Sequence, residues 1–439
     1  MSGIAAAVGV IVAREFGRGP ETDGFFVAYA VFIVLSLAAA ALRIVVLPVL
    51  ARAQDGAAEA GAWAAALAVV TVPPLAVAVL AGEPVARLLG LDGRAADTAA
   101  EAMPWMAAAG AAHLYAGLAA SVLAARGDYV TAAVGYVVGA VAGLSLILWR
   151  LDDGIVVVAW GSALNGAVSL AFPLARARLR LARPGARLAA LARGFALPLA
   201  LQALYLICVR FAAGLGVGEV SDLTYAYLIA SALVAVTASS LALVSSVPLA
   251  RADLDAVRHV VAGSWLSLVV VGAAAGVFAL AGADVVRLVL GDAYGGDLGR
   301  IVVALTPWMV ASVGVSLAYP LVFVRGGARG LVRLSLAAIV VHPLIVWAGR
   351  ELAGSVGIAL ALALTTTLVL VALLALLGAL EALPGVALAA LTVSVLAAAA
   401  FGLGAWAGPL VGLAVYAGLV LALRPPGLRT AWRYVRALA

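Results

Sequence analysis

The chain has 439 residues, 66% of them apolar and 11% charged, with a mean hydropathy of +1.19. Soluble domains run at about 45–50% apolar and about 25% charged, so a soluble fold is excluded and the chain reads as an integral membrane protein. The 27 basic residues are all arginine and face 21 acids, a net charge of +6, and Cys208 is the single cysteine, which excludes an internal disulfide or multi-cysteine metal site.

Hydropathy and Gly/Pro/charge punctuation predict fourteen spans. They lie near 2–15, 23–47, 62–82, 103–124, 129–149 and 155–175, then 195–216, 222–246, 260–282, 305–324, 331–349 and 355–379, and last 385–405 and 408–423. Within lipid every backbone group must be satisfied inside its own segment, so the spans are helices and the class is all-α polytopic. The first is expected to act as its own insertion signal. Loop arginines set the orientation: seventeen fall on the side of the termini and eight on the other, which places both termini in the cytoplasm of a bacterial inner membrane. The longest basic run, Arg176 to Arg193, reads as a topology determinant that also touches anionic lipid headgroups.

An internal duplication repeats at an offset near 200 residues. Ala81 to Leu89 (AGEPVARLL) answers Ala281 to Val289 (AGADVVRLV), and Pro104-Trp105-Met106 answers Pro307-Trp308-Met309. Arg126-Gly127 answers Arg325-Gly326, Pro48 to Ala53 (PVLARA) answers Pro248 to Ala252 (PLARA), and Arg150 answers Arg350. Each copy holds six spans, an even number, so the copies are parallel repeats with a substrate site expected at their interface. The expected organisation is an N-lobe with its basic linker over 1–194, a C-lobe over 195–380, and two appended helices with a basic tail over 381–439, with the lobes enclosing a central cavity.

All 21 acids fall in loops or at predicted helix ends, whereas Arg43 and Arg210 fall within spans. A charge at that depth normally faces a wet cavity or a partner. Arg43 precedes Pro48 and Arg210 precedes Gly216 closely enough to snorkel to an interface. The other reading of both is a cavity lining that grips phosphate oxygens, which guanidinium does without titrating. Asp23 and Asp222 open the second and eighth spans, either as helix N-caps or as paired gate residues. Arg14 and Arg210 are approximate repeat mates, each near one of these acids. His113 and His342 read as structural histidines in apolar helices, and Pro73-Pro74, Pro198, Pro320 and Pro343 as kinks. No phosphate-binding glycine loop, metal cluster or nucleophile triad is present, so neither an enzyme, nor a cofactor, nor a nucleic-acid partner is expected.

Val12 to Tyr29 (VAREFGRGPETDGFFVAY) resembles the first outer loop and second helix of the MurJ/MviN lipid II flippases, with their Phe-Gly-x-Gly turn, Thr-Asp, small residue and Phe-Phe-Val-Ala. Pro48 to Ala51 resembles the family's end of that helix. Ala125 to Tyr129 and Gln202 followed by Arg210 resemble segments of the wider superfamily of multidrug, oligosaccharidyl-lipid and polysaccharide exporters. The resemblance implies two six-helix lobes, alternating access, and a lipid-linked sugar headgroup carried across while its tail stays in the bilayer. It matches Asp23 to the family's functional aspartate. The family's Arg-Asp pair ahead of that aspartate falls on Val8 and Gly9, its arginines after it fall near Ser36 and Leu37, and its eighth-helix Asp-Arg pair falls near Tyr227. The family also carries a longer segment before Arg14, so the true start is expected upstream.

The expected function is therefore flipping of an anionic lipid-linked saccharide, either lipid II-like or another polyprenyl-pyrophosphate-linked glycan. Arg43, Arg210 and Arg14 are the headgroup ligands, and Asp23 and Asp222 the gate or ion-pair residues. A cation-coupled drug-efflux antiporter and a non-transporting envelope-assembly scaffold are the competing readings. Expected partners are the lipid-linked substrate, anionic lipids and cell-envelope synthesis enzymes, with a monomer sufficient for the work.

Overall fold

The computed structural model describes residues 2–180, 182–239, 255–294, 296–324 and 328–438. They are helical almost throughout, and no strand occurs among them. Two compact units result, Met1–Ser221 and Asp222–Ala439.

The first unit holds α1 (Ser2–Phe16), α2 (Pro20–Leu50), α3 (Gly56–Leu80), α4 (Gly82–Leu88), α5 (Gly93–Ala125), α6 (Val130–Trp149), α7 (Val156–Ala177) and α8 (Arg187–Ala213). At its end α9 (Glu219–Val234) begins. Pro20 starts α2 where a missing N–H costs nothing. Asp55 caps α3, its carboxylate accepting the N–H groups of Ala57 and Ala58 at 3.1 Å each. α2 packs on α5 and α8, α5 also on α3 and α7, and α6 on α7. Alanine dominates these seams: Ala28, Ala99, Ala102, Ala107, Ala116 and Ala200 are all buried. Small side chains let backbones approach, which is how helices associate where lipid removes the hydrophobic driving force.

The second unit holds most of α9, then α10 (Ala256–Leu290), α11 (Gly296–Ala304), α12 (Thr306–Val324), α13 (Ala328–Leu377), α14 (Ala382–Ala407), α15 (Pro409–Leu423) and α16 (Pro426–Leu438). α10 is the hub, touching α11, α12, α14 and α16, while α12 packs on α13 and α14 on α15.

The duplication is visible in backbone geometry. Ala81 ends α3 with φ −137° and ψ 29°, and Ala281 breaks α10 with φ −131° and ψ 22°. Asp255 caps α10 as Asp55 caps α3, accepting Val257 N–H at 3.0 Å and Arg258 N–H at 3.3 Å. Gly154 separates α6 from α7 at φ +96°, and Gly354 interrupts α13 at φ +56°. Pro248 to Ala252 and Arg325-Gly326, with Arg251 and Arg325 of the orientation count, lie outside the described residues.

Nine helices are long and apolar enough to cross a membrane, or eleven if two bent pairs each count as one span, among the described residues. That measure stops short of fourteen. α1 has 15 residues, and at 1.5 Å per residue spans about 22 Å, less than the ~30 Å hydrocarbon core. α2 is not among the helices counted, and the expected spans 331–349 and 355–379 are counted once, although the non-helical Ala353 and Gly354 divide α13 between them, where the sequence reading puts the break. The prolines expected as kinks, Pro73, Pro74, Pro198, Pro320 and Pro343, all sit inside helices. The chain is a multi-pass membrane protein.

Candidate functional site

The Thr-Asp-Gly-Phe-Phe stretch opens α2, and each residue has a separate task. The Thr22 hydroxyl reaches the carbonyl of Phe16, where α1 ends, at 3.5 Å. Gly24 rides on the backbone of α5, because a Cβ there would run into the carbonyl of Ala95. Phe25, Phe26, Val27 and Ala28 are buried behind it, with the Phe25 and Phe26 rings 5.5 Å apart edge to face and Tyr29 stacked on Phe25 at 5.9 Å. This packing leaves Asp23 one direction in which to point.

Asp23 is buried, 4% exposed. Its carboxylate accepts the N–H of Gly218 at 2.5 Å, the N–H of Ser221 at 2.9 Å and the Ser221 hydroxyl at 2.5 Å. These groups lie at and just before the start of α9, so the carboxylate satisfies orphan donors and meets the positive end of the helix dipole. Gly218 has φ +88°, the left-handed region that favours glycine, and the Arg18 side chain passes over the place a Cβ would take. Arg18 continues past it to pair with Glu219 at 3.0 Å. Glu21 pairs with Arg94 at the start of α5.

Arg210, three residues from the end of α8, is exposed and reaches the same end of the unit. A Cβ on Gly90, in the turn between α4 and α5, would come within 2.6 Å of its Nη1. Arg14, also exposed, stands in the last turn of α1, four residues before Arg18. Asp23 does not use Arg14 as its donor; two backbone N–H groups and a serine take that role. Asp222, the next residue after Ser221, is buried at 3% exposed.

Arg43 is elsewhere. It lies 20 residues after Asp23 along α2, about 30 Å at 1.5 Å per residue. Its Nη2 donates to the Tyr136 hydroxyl of α6 at 2.9 Å, and its guanidinium stands 5.6 Å from the centre of that ring. Arg43, Arg210 and Arg14 therefore do not converge on one point. Arg14 and Arg210 attend the Asp23 end, and Arg43 the far third of α2.

The basic linker packs at that far end. Arg187 grips Glu59 with both oxygens, Nε to Oε1 at 3.1 Å and Nη2 to Oε2 at 2.5 Å. Arg180 pairs with Asp55 at 3.4 Å, and its N–H donates to the carbonyl of Ala57 at 3.2 Å. Arg126 donates to the carbonyls of Arg176 and Ala177 at the end of α7, and Arg176 stands 3.7 Å from Asp128. Three arginines of the basic run, Arg176, Arg180 and Arg187, thus stand within ion-pair distance of acids of the same chain. A groove of about 500 Å³ opens beside them, lined by Asp128, Val134, Phe172 and Arg176.

The remaining sequence candidates have structural partners. His113 Nδ1 lies 2.8 Å from the Ala109 carbonyl, and His342 Nδ1 2.7 Å from the Thr365 hydroxyl. No group of three or more His, Cys, Asp or Glu able to hold a metal occurs among the described residues. Gly218, Ser221, Arg18, Glu219, Glu59 and Tyr136 were not singled out from sequence. The one available signal was the Gly-Val-Gly-Glu run at 216–219, a turn followed by a helix start.

No protein-family model and no curated protein sequence matches the chain. Solved structures do, at under 20% identity each, and they define the fold. An inward-facing MATE-family multidrug transporter of the MOP superfamily aligns at a TM-score of 0.67 and 18% identity, over 88% of this chain and 94% of its own. A MOP superfamily transporter from Pyrococcus furiosus, described as having a binding pocket of reversed polarity, aligns at 0.58 and 15%, over 88% and 92%. The lipid II flippase MurJ, in its inward closed conformation, aligns at 0.74 and 14%, over 96% of both chains. The chain has the MurJ and MATE fold.

Proposed function

We propose that this protein is a flippase that moves an anionic lipid-linked saccharide across the cytoplasmic membrane by alternating access, with both termini in the cytoplasm. One observation carries the reading most: the likeness to MurJ extends over 96% of each chain, so the two helices beyond the duplicated core are part of the match. The arrangement of charge supports it. Arg43 stands toward the cytoplasmic end of α2, prepared by Tyr136 to receive a phosphate-bearing headgroup. Arg14 and Arg210 stand at the opposite end, beside the Asp23 latch, where the headgroup leaves. Guanidinium holds phosphate oxygens in two parallel bonds and stays charged throughout. Release of Gly218 and Ser221 by Asp23 is the step that frees the start of α9 and opens the outer side.

Reconstituted flipping of a fluorescent polyprenyl pyrophosphate tests this. Arg43→Ala and Arg210→Ala should each slow flipping at least tenfold, and unchanged rates in both would discard the site. The MATE-family neighbours favour a second reading, cation-coupled efflux of small molecules. It makes transport depend on an ion gradient and on the buried carboxylates Asp23 and Asp222, and predicts cationic drug efflux that the arginine substitutions leave intact.

A further inference from the structure

The sequence reading treats the residues after 423 as a basic tail. They form α16, which departs from α15 with a bend of 80°. Its two faces differ completely. Gly427, Leu428, Ala431 and Tyr434 form one edge, with Ala431 and Tyr434 buried. That edge is anchored to α10. The Tyr434 hydroxyl lies 3.2 Å from His259 Nδ1, the Arg258 guanidinium stands 5.2 Å from the centre of the Tyr434 ring, and a Cβ on Gly427 would collide with Trp265. The opposite edge, at spacings of three and four, carries Arg429, Trp432, Arg433 and Arg436, all exposed. Arg436 lies 5.2 Å over the Trp432 ring.

We infer that α16 is a foot lying at the membrane surface that binds anionic phospholipid headgroups through Arg429, Arg433 and Arg436. Charge complementarity identifies the occupant. No acidic residue follows Glu381 in the chain, and no ion pair to these three arginines is found among the described residues. Among the described residues the stripe is thus a row of positive charge with no acid paired to it. It begins directly where the apolar α15 ends, the depth at which phosphates lie, and Trp432 has the amphipathic ring that favours that layer. The docked edge spends the apolar surface of α16 on α10, so lipid binding holds α16 against α10 rather than inserting it.

The test is hydrogen exchange of α16 amides in the full-length chain, in nanodiscs of phosphatidylcholine alone or with phosphatidylglycerol. Phosphatidylglycerol should slow exchange in α16 by roughly fivefold for each engaged arginine, and high salt should reverse the effect. The triple Arg→Lys variant should keep the slowing, and the triple Arg→Gln variant lose it. Equal exchange of the unmodified protein in the two membranes overturns the inference without any variant. So does slowing that survives in the glutamine variant, or protection that needs a second copy or an acidic polypeptide in place of the lipid.

Discussion

Asp23 and Ser221 are 198 residues apart in sequence and meet through two hydrogen bonds, the serine N–H at 2.9 Å and its hydroxyl at 2.5 Å. Removing the carboxylate in Asp23→Ala strands the N–H groups of Gly218 and Ser221 and should cost about 1–2 kcal/mol of stability. Ser221→Ala deletes only the hydroxyl and should cost about 1 kcal/mol. Thermal unfolding in detergent measures both. If the pair is also a latch, Asp23→Ala lowers flipping far more than Ser221→Ala, because only the former frees α9 completely. Equal activity in the two variants would reduce the contact to a cap.

The Arg187–Glu59 pair is bidentate, with the glutamate much less exposed than the arginine. Double substitution to alanine, compared with each single change, isolates the pair. With the arginine partly in solvent, the coupling should be about 1 kcal/mol, weakening as salt rises. A coupling of zero at low salt would leave the linker held by its backbone contacts alone.

Gly61 lies under the linker, and a Cβ there would collide with the carbonyl of Arg180. Gly61→Val should therefore lift the 178–186 segment from α3. Trypsin cutting after Arg178 and Arg180 reports the change: cleavage should become at least several-fold faster, with the helices intact by circular dichroism. Cleavage at the rate of the unmodified chain would show that the linker adapts.

Asp128 opens α6. The Thr131 N–H at 3.0 Å and hydroxyl at 2.7 Å hold its carboxyl below the ordinary range, with Arg176 adding to the effect. A depressed value in the folded chain gives stabilisation that is complete above the unfolded value of about 3.9 and disappears as pH falls through the folded value. Asp128→Asn should thus unfold at a lower temperature than the unmodified protein near neutral pH. The two should converge in acid, once the pH has fallen through the folded value. A gap that stays constant from neutral to acid would assign the effect to shape rather than charge.

What could be read from sequence followed from how local its causes are. Ala81 and Ala281, and Gly154 and Gly354, mark breaks because the residues around them end helices in both copies, so the duplication was legible as spelling. Asp23 was legible because Thr22, Gly24 and the two phenylalanines each need that place in the packing. Its acceptor role was not, since Gly218 and Ser221 lie in another segment with no pattern linking them to α2. The same distance hid Glu59 from Arg187. α16 was missed for a different reason: a short helix with arginines on one edge has the composition of a tail.

The matching backbone at Ala81 and Ala281 dates the bend. The residues on either side are the same in both copies, Leu80 and Gly82 answering Leu280 and Gly282, before the spelling parts at Glu-Pro and Ala-Asp, and both joints keep torsions within about ten degrees of each other. A shape and a local spelling kept together point to a bend already present in the ancestral half-length chain. That ancestor carried its own elbow before it was copied, and each descendant half inherited a ready-made joint.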